Sequence, residues 1–163
     1  MPIAMIGDAG YKIALFFHIL AVVALGATFA YGILFSVLPR YPRAAPALID
    51  GMRRVDRMMI NPAMIVLLIA GIVLLATSGG VWKGSQFFVV WGFLAVVALF
   101  ALQHGFFAPR MAQLQELAER DLAAGDTFSD EFETTSRQVA QVGGATGALI
   151  VLTIFIMVYK PFL

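Results

Sequence analysis

Four long stretches without a formal charge dominate this chain. Twenty-seven residues separate Lys12 from Arg40, 25 separate Arg57 from Lys83, 26 separate Lys83 from Arg110, and 22 separate Arg137 from Lys160. A helix needs roughly 20 apolar residues, at about 1.5 Å each, to cross a bilayer's hydrocarbon core. Lipid offers the backbone no hydrogen bonds, so a crossing segment must satisfy its own amides and carbonyls as a helix. The expectation is an all-α membrane protein with four transmembrane helices, at about residues 13–38, 60–80, 86–108 and 140–159, in a single domain covering residues 1–163.

Composition excludes the alternatives. Hydrophobic residues make up 61% of the chain and charged ones 13%, whereas a soluble domain carries roughly 25% charged residues. Such a chain cannot cover a water-facing globule with polar groups, and it is too apolar to be disordered. A net charge of +1 argues against nucleic acid as a partner. Cysteine is absent, which removes disulfides, thiolate metal sites and thiol lipidation. The first span far exceeds a signal-peptide core, and no small-residue cleavage pattern follows at Leu38-Pro39-Arg40, so it is expected to stay in the mature protein.

Basic residues orient the spans, because positively charged loops are retained in the cytoplasm. All eight arginines fall between spans one and two (Arg40, Arg43, Arg53, Arg54, Arg57) or between spans three and four (Arg110, Arg120, Arg137), leaving Lys12, Lys83 and Lys160 on the other side. Both termini are therefore expected outside and both long loops inside, in a bacterial inner membrane. The loops read as helical extensions. Pro39, Pro42 and Pro46 punctuate the first, Ala47 to Met59 has helical character, and Asn61-Pro62 reads as an N-cap with proline in the first turn of span two. Met111, Leu114, Leu117 and Leu122 recur at helical spacing beyond Pro109. Gly125 reads as a stop, and Asp126, Ser129, Asp130 and Glu131 as the start of the next helix. The two extensions are expected to form a cytoplasmic hairpin.

Membrane helices meet through small residues. Span four carries Ala140, Gly143, Gly144, Gly147 and Ala148; span three carries Ala98, Ala101, Gly105 and Ala108; span one carries Gly26, Ala30, Gly32 and Ser36. Short connections favour an up-down four-helix bundle, with Gly143 and Gly147 packing inside it rather than between copies.

The spans carry no charged side chain, the usual mark of an ion-coupled pump. His18 and His104 are the only histidines, and imidazole is a common metal and haem ligand. Their levels differ by roughly 20 Å at about 1.5 Å per residue, so one haem cannot join them. Met157 lies near the level of His18 and Met64 near that of His104, which makes His/Met pairs conceivable, although methionine also fills any apolar gap. Ala14 and Ala21 flank His18, leaving room for a planar ligand or a closely approaching helix. Met52, Met58, Met59 and Met64 are candidate soft ligands for Cu(I). No Ser/His/Asp set, paired carboxylates or phosphate-binding loop can be assembled.

Phe17-His18-Ile19-Leu20, running into Ala24-Leu25-Gly26-Ala27, resembles the first-span histidine motif of the CopD and HemJ group of bacterial membrane proteins. The closing Met157-Val158-Tyr159-Lys160-Pro161-Phe162 resembles the Lys-Pro signature of HemJ proteins and of a related family known only as predicted integral membrane proteins. Arg53, Arg54 and Arg57 before Pro62, the stretch Gly71-Ile72-Val73-Leu74-Leu75, and Pro109-Arg110 fit that second family best. The resemblance implies a four-helix bundle and, by analogy with HemJ, haem b held through His18. HemJ proteins oxidise protoporphyrinogen and depend on a third-span lysine; here that region reads Trp91-Gly92-Phe93-Leu94, which argues against that activity. Three roles remain open: an accessory or structural subunit of a larger membrane complex, with other membrane proteins or a second copy as partner; a haem b or porphyrin-handling protein using His18; and a copper or small-solute carrier.

Overall fold

Asp8 starts the first helix, its side chain accepting the Ala9 amide at 2.7 Å and so satisfying a donor that a helix start leaves unpaired. The computed structural model describes residues 8–125 and 127–162, which are almost entirely helical, with no strand among them. Four long helices carry the fold: α1 (Ala9–Arg40), α2 (Pro42–Ala76), α3 (Phe87–Ala124) and α4 (Asp130–Tyr159). At 30 to 38 residues each they measure about 45–57 Å, well beyond a hydrocarbon core of about 30 Å. α1 lies along α2, α2 meets α3, α3 packs on α4, and α4 closes against the second half of α1. This is the expected up-down bundle.

The excess length gathers at the end that carries the arginines. There the first part of α2, the last part of α3 and the start of α4 enclose Phe35, Leu38, Ala45, Ile49, Met52, Met111, Leu114, Leu117, Ala118, Phe132 and Val139. A second apolar cluster, of Ala21, Leu25, Ile60, Ala63, Met64, Leu67, Val96, Leu99 and Ile150, lies between the membrane-crossing parts. The two differ in what drives them. Ala45, Ile49, Leu114 and Ala118 are fully buried because water penalises exposed apolar surface, whereas lipid tails accept Phe16, Ile33, Ile72 and Val158 on the outside.

The ends of the helices follow the sequence closely, with one correction. Gly125 ends α3 in an extended conformation, and the Ser129 hydroxyl accepts the Phe132 amide at 3.3 Å to start α4, with Asp130, Glu131 and Glu133 in its first turn. Asp126 lies outside the described residues. Asn61, read from the sequence as an N-cap, caps nothing: α2 runs straight through it, and its Oδ1 is buried without a partner. The helix survives Pro62 by widening. The Asn61 amide bonds the Asp56 carbonyl, five residues back, in a π turn over Asp56–Ile60. α3 does the same before Pro109, the Ala108 amide bonding the Gln103 carbonyl across Gln103–Phe107. Proline has no amide hydrogen and its ring crowds the carbonyl four residues back, and a π turn absorbs both defects.

At the opposite end α2 stops at Ala76, and Gly79 (φ 64°) and Gly80 (φ 85°) take left-handed conformations that favour glycine. The buried Ser78 hydroxyl holds this turn, donating to the Leu75 carbonyl at 2.8 Å and accepting the Trp82 amide at 3.2 Å. Trp82 Nε1 donates to Tyr11 Oη at 3.2 Å, which ties the turn to the start of α1.

Candidate functional site

His18 lies on the α2-facing side of α1. Its ring rests on Gly71, where a β-carbon would stand 3.5 Å from Cε1 and 3.7 Å from Nδ1, and a larger residue would displace it. The Leu67 carbonyl faces the imidazole, yet Nδ1 is shielded from solvent and has no hydrogen-bond partner. An unpaired buried ring nitrogen is costly. Ala14 and Ala21, which left room for either a ligand or a helix, are both buried; Ala21 packs with Ala63, Met64 and Leu67, so there the space admits α2 itself. Beside Ala14 an open apolar groove of about 310 Å³ runs between α1 and α2, lined by Phe17, Val66, Ala70 and Val73 among others.

The other candidate ligands are dispersed. His104 is exposed on α3 and stacks on Phe100, ring centroids 6.1 Å apart, whereas Met64 is buried in the membrane-level core. The Met157 methyl stands where a Gly92 side chain would be, 1.9 Å from the built β-carbon, so Met157 packs on α3 while His18 packs on α2. Met52 belongs to the core at the arginine end, and Met58 is 78% exposed. The four methionines named as soft ligands therefore do not converge. Among the described residues no three His, Cys, Asp or Glu side chains group as a metal site would need.

A polar layer that sequence reasoning missed lies between the two apolar cores. Tyr31 on α1 reaches α2, its Oη 2.9 Å from Asp56 Oδ1 and 3.0 Å from the Met52 carbonyl. The Gln103 side chain of α3 meets the same carboxyl group. Asp56 is only 9% exposed. Each of the three sits between a residue of one core and a residue or neighbour of the other: Tyr31 between Leu25 and Phe35, Asp56 between Met52 and Ile60, Gln103 between Leu99 and Phe107. Asp56 and Gln103 are also the opening residues of the two π turns, each six positions before its proline. The spacing Asp-x5-Pro and Gln-x5-Pro was a legible signal, masked because Asp56 falls just outside the charge-free run that marked span two.

A third polar network lies wholly in the arginine-end hairpin. Asp121 accepts the Ser129 amide at 2.8 Å and the Ser129 hydroxyl at 2.7 Å, and pairs with Arg120 at 3.0 Å. The Ser129 amide, then the hydroxyl and the neighbouring guanidinium, hold this carboxyl below the usual range. Arg120 also reaches Glu131 at 3.2 Å, so the turn between α3 and α4 is bonded from both sides.

Four membrane-length helices in an up-down bundle, with a helical extension at one end, define a small multi-pass integral membrane protein. The chain belongs to the family described as predicted integral membrane protein (DUF2269), whose model matches residues 12–161. No curated protein and no solved structure matches it.

Proposed function

We propose that this protein is a small accessory or assembly subunit of a larger membrane complex, acting by presenting helix faces to other membrane helices. One observation carries the reading. Ala101, Gly105 and Ala108 on α3, and Gly144, Ala145 and Ala148 on α4, are exposed, and β-carbons built on Gly105 and Gly144 would meet nothing within 4 Å. Gly147 differs, since Phe29 of α1 lies 3.0 Å from its built β-carbon. In lipid the hydrophobic effect does not join helices, and association depends on small residues that let backbones approach. The uncovered small-residue faces are therefore suited to helices from outside this chain.

Gly105→Leu combined with Gly144→Leu tests this. The double variant is expected to keep its thermal stability, since nothing lies against either position, and to lose the proteins or second copy that co-purify with wild type from native membranes in mild detergent. A strictly monomeric, partnerless wild-type preparation overturns the proposal. In the same reading the arginine end faces the cytoplasm of a bacterial inner membrane, and a reporter fused after Leu163 is active only in an extracytoplasmic format.

A second reading, binding of haem b or another porphyrin, is supported by the unpartnered Nδ1 of His18. His18 would hold the iron, and the group would supply one-electron chemistry.

A further inference from the structure

We propose that Asp56, Tyr31 and Gln103 form a proton-binding site, separate from His18, in which Asp56 carries an exchangeable proton within the layer between the two apolar cores. Counting hydrogens leads to this assignment. Tyr31 has one hydroxyl hydrogen and faces two acceptors at nearly equal range, Asp56 Oδ1 at 2.9 Å and the Met52 carbonyl at 3.0 Å. A carbonyl only accepts. With Asp56 ionised, the single hydrogen is shared and one short contact lacks a proton. With Asp56 protonated, the carboxyl donates to Tyr31 Oη, Tyr31 donates to the Met52 carbonyl, and the Gln103 amide can donate to the remaining carboxyl oxygen. Every member is then satisfied. Asn61 Oδ1, one turn along α2, is a further buried acceptor without a donor, so this stretch of α2 holds more acceptors than hydrogens.

No cation is bonded to the Asp56 carboxyl group among the described residues, and the polar neighbours of Asp56 are Tyr31 and Gln103. On α1 the titratable groups between Lys12 and Arg40 are His18 and Tyr31, and His18 lies 13 residues from Tyr31, about 20 Å along the helix. On α3 the one titratable group between Lys83 and Arg110 is His104, which is exposed and stacked on Phe100. α4 has none between Arg137 and Tyr159. On α2 itself Arg53 and Arg57 flank Asp56 in sequence without pairing to it. A carboxylate buried between apolar layers without a cation is costly, and taking up a proton removes the charge and completes the hydrogen bonds in one step. Because Asp56 and Gln103 open the two π turns, the proton sits where α1, α2 and α3 are joined and where α2 and α3 are widened.

Infrared difference spectroscopy of the full-length protein in lipid nanodiscs, titrated from acid to alkaline pH, tests this. The expected result is a protonated-carboxyl C=O band that shifts in D2O, disappears in Asp56→Asn and fades reversibly as pH rises. Asp56→Asn is nearly isosteric, and its amide can still donate to Tyr31. Tyr31→Phe keeps the carboxyl while removing its partner, so it is expected to shift the band frequency and move the midpoint by about one pH unit or more, a tenfold change in proton affinity. If Asp56→Asn does not fold, the shifts in Tyr31→Phe assign the band. A band unchanged in both variants, or a carboxyl ionised at every pH above that of a free aspartate, overturns the proposal. So does a band that sodium chloride removes at constant pH and potassium chloride does not, since the ligand would then be a metal cation.

Discussion

Lys160 Nζ stands 4.0 Å above the centre of the Trp82 ring, bringing the end of α4 onto the turn between α2 and α3. Trp82 also meets Phe88 edge-on at 5.5 Å and donates to Tyr11. Four parts of the chain thus meet at one indole. A cation over an aromatic face contributes about 0.5–2 kcal/mol according to its desolvation. Lys160→Met is expected to lower the thermal midpoint by a few degrees, and Trp82→Leu, which also removes the Tyr11 bond, by more. The double variant falls short of the sum, since the two changes share one contact. Thermal unfolding in a single detergent checks all three.

Gly147 faces Phe29 with space for hydrogen alone. A β-carbon there would be 3.0 Å from Phe29 Cε1, while Phe29 is half exposed and can yield. Gly147→Ala is expected to destabilise slightly, and Gly147→Leu by about 1–3 kcal/mol, the usual range for overpacking. Phe29→Ala in the Gly147→Leu background recovers much of that loss, which unfolding in the same detergent would show.

Asp121 gives the hairpin a pH dependence of definite sign. Its carboxyl is held below its unfolded value, so its contribution is complete above the unfolded pKa of about 3.9 and disappears as pH falls through the lower folded value. Amide exchange across residues 121–133 is expected to be uniform from neutral pH down to about 4, after correction for intrinsic rates, and to accelerate below that. In Asp121→Asn the protection is weaker at neutral pH and the acid-dependent component is absent. Acid-dependent opening of the same size in that variant contradicts the assignment.

His18 carries the spectroscopic prediction of the porphyrin reading. Protein purified from cells supplied with a haem precursor is expected to show a Soret band with sharpened bands on reduction, lost in His18→Ala and kept in His104→Ala. A flat wild-type spectrum returns His18 to a packing role against Gly71.

The distribution of charge made most of this architecture legible. The four apolar runs, the amphipathic spacing of Met111, Leu114 and Leu117, and Ser129 as a cap all reappear in the structure, since each rests on a local rule of burial or capping. Which small residues face inward was not legible: Gly147 is covered and Gly144 is open although both lie in one run. That difference depends on the rotation of α4 about its axis, which packing sets. Asp56 was missed because its partners, Tyr31 and Gln103, lie on other helices, and proximity between helices leaves no periodic trace in the sequence. Asn61 was misread because Asn-Pro is a sound start signal when a helix begins there, whereas here the helix is already about five turns old.

The two apolar cores are held by different solvents, and this divides the molecule's vulnerability. The cluster around Ile49 and Leu114 depends on water and is the half that urea attacks. The cluster around Met64 and Val96 depends on close packing within lipid and is the half that a harsh detergent pulls apart. Neither reagent alone reports the stability of the whole chain, and a denaturation curve describes one hemisphere at a time.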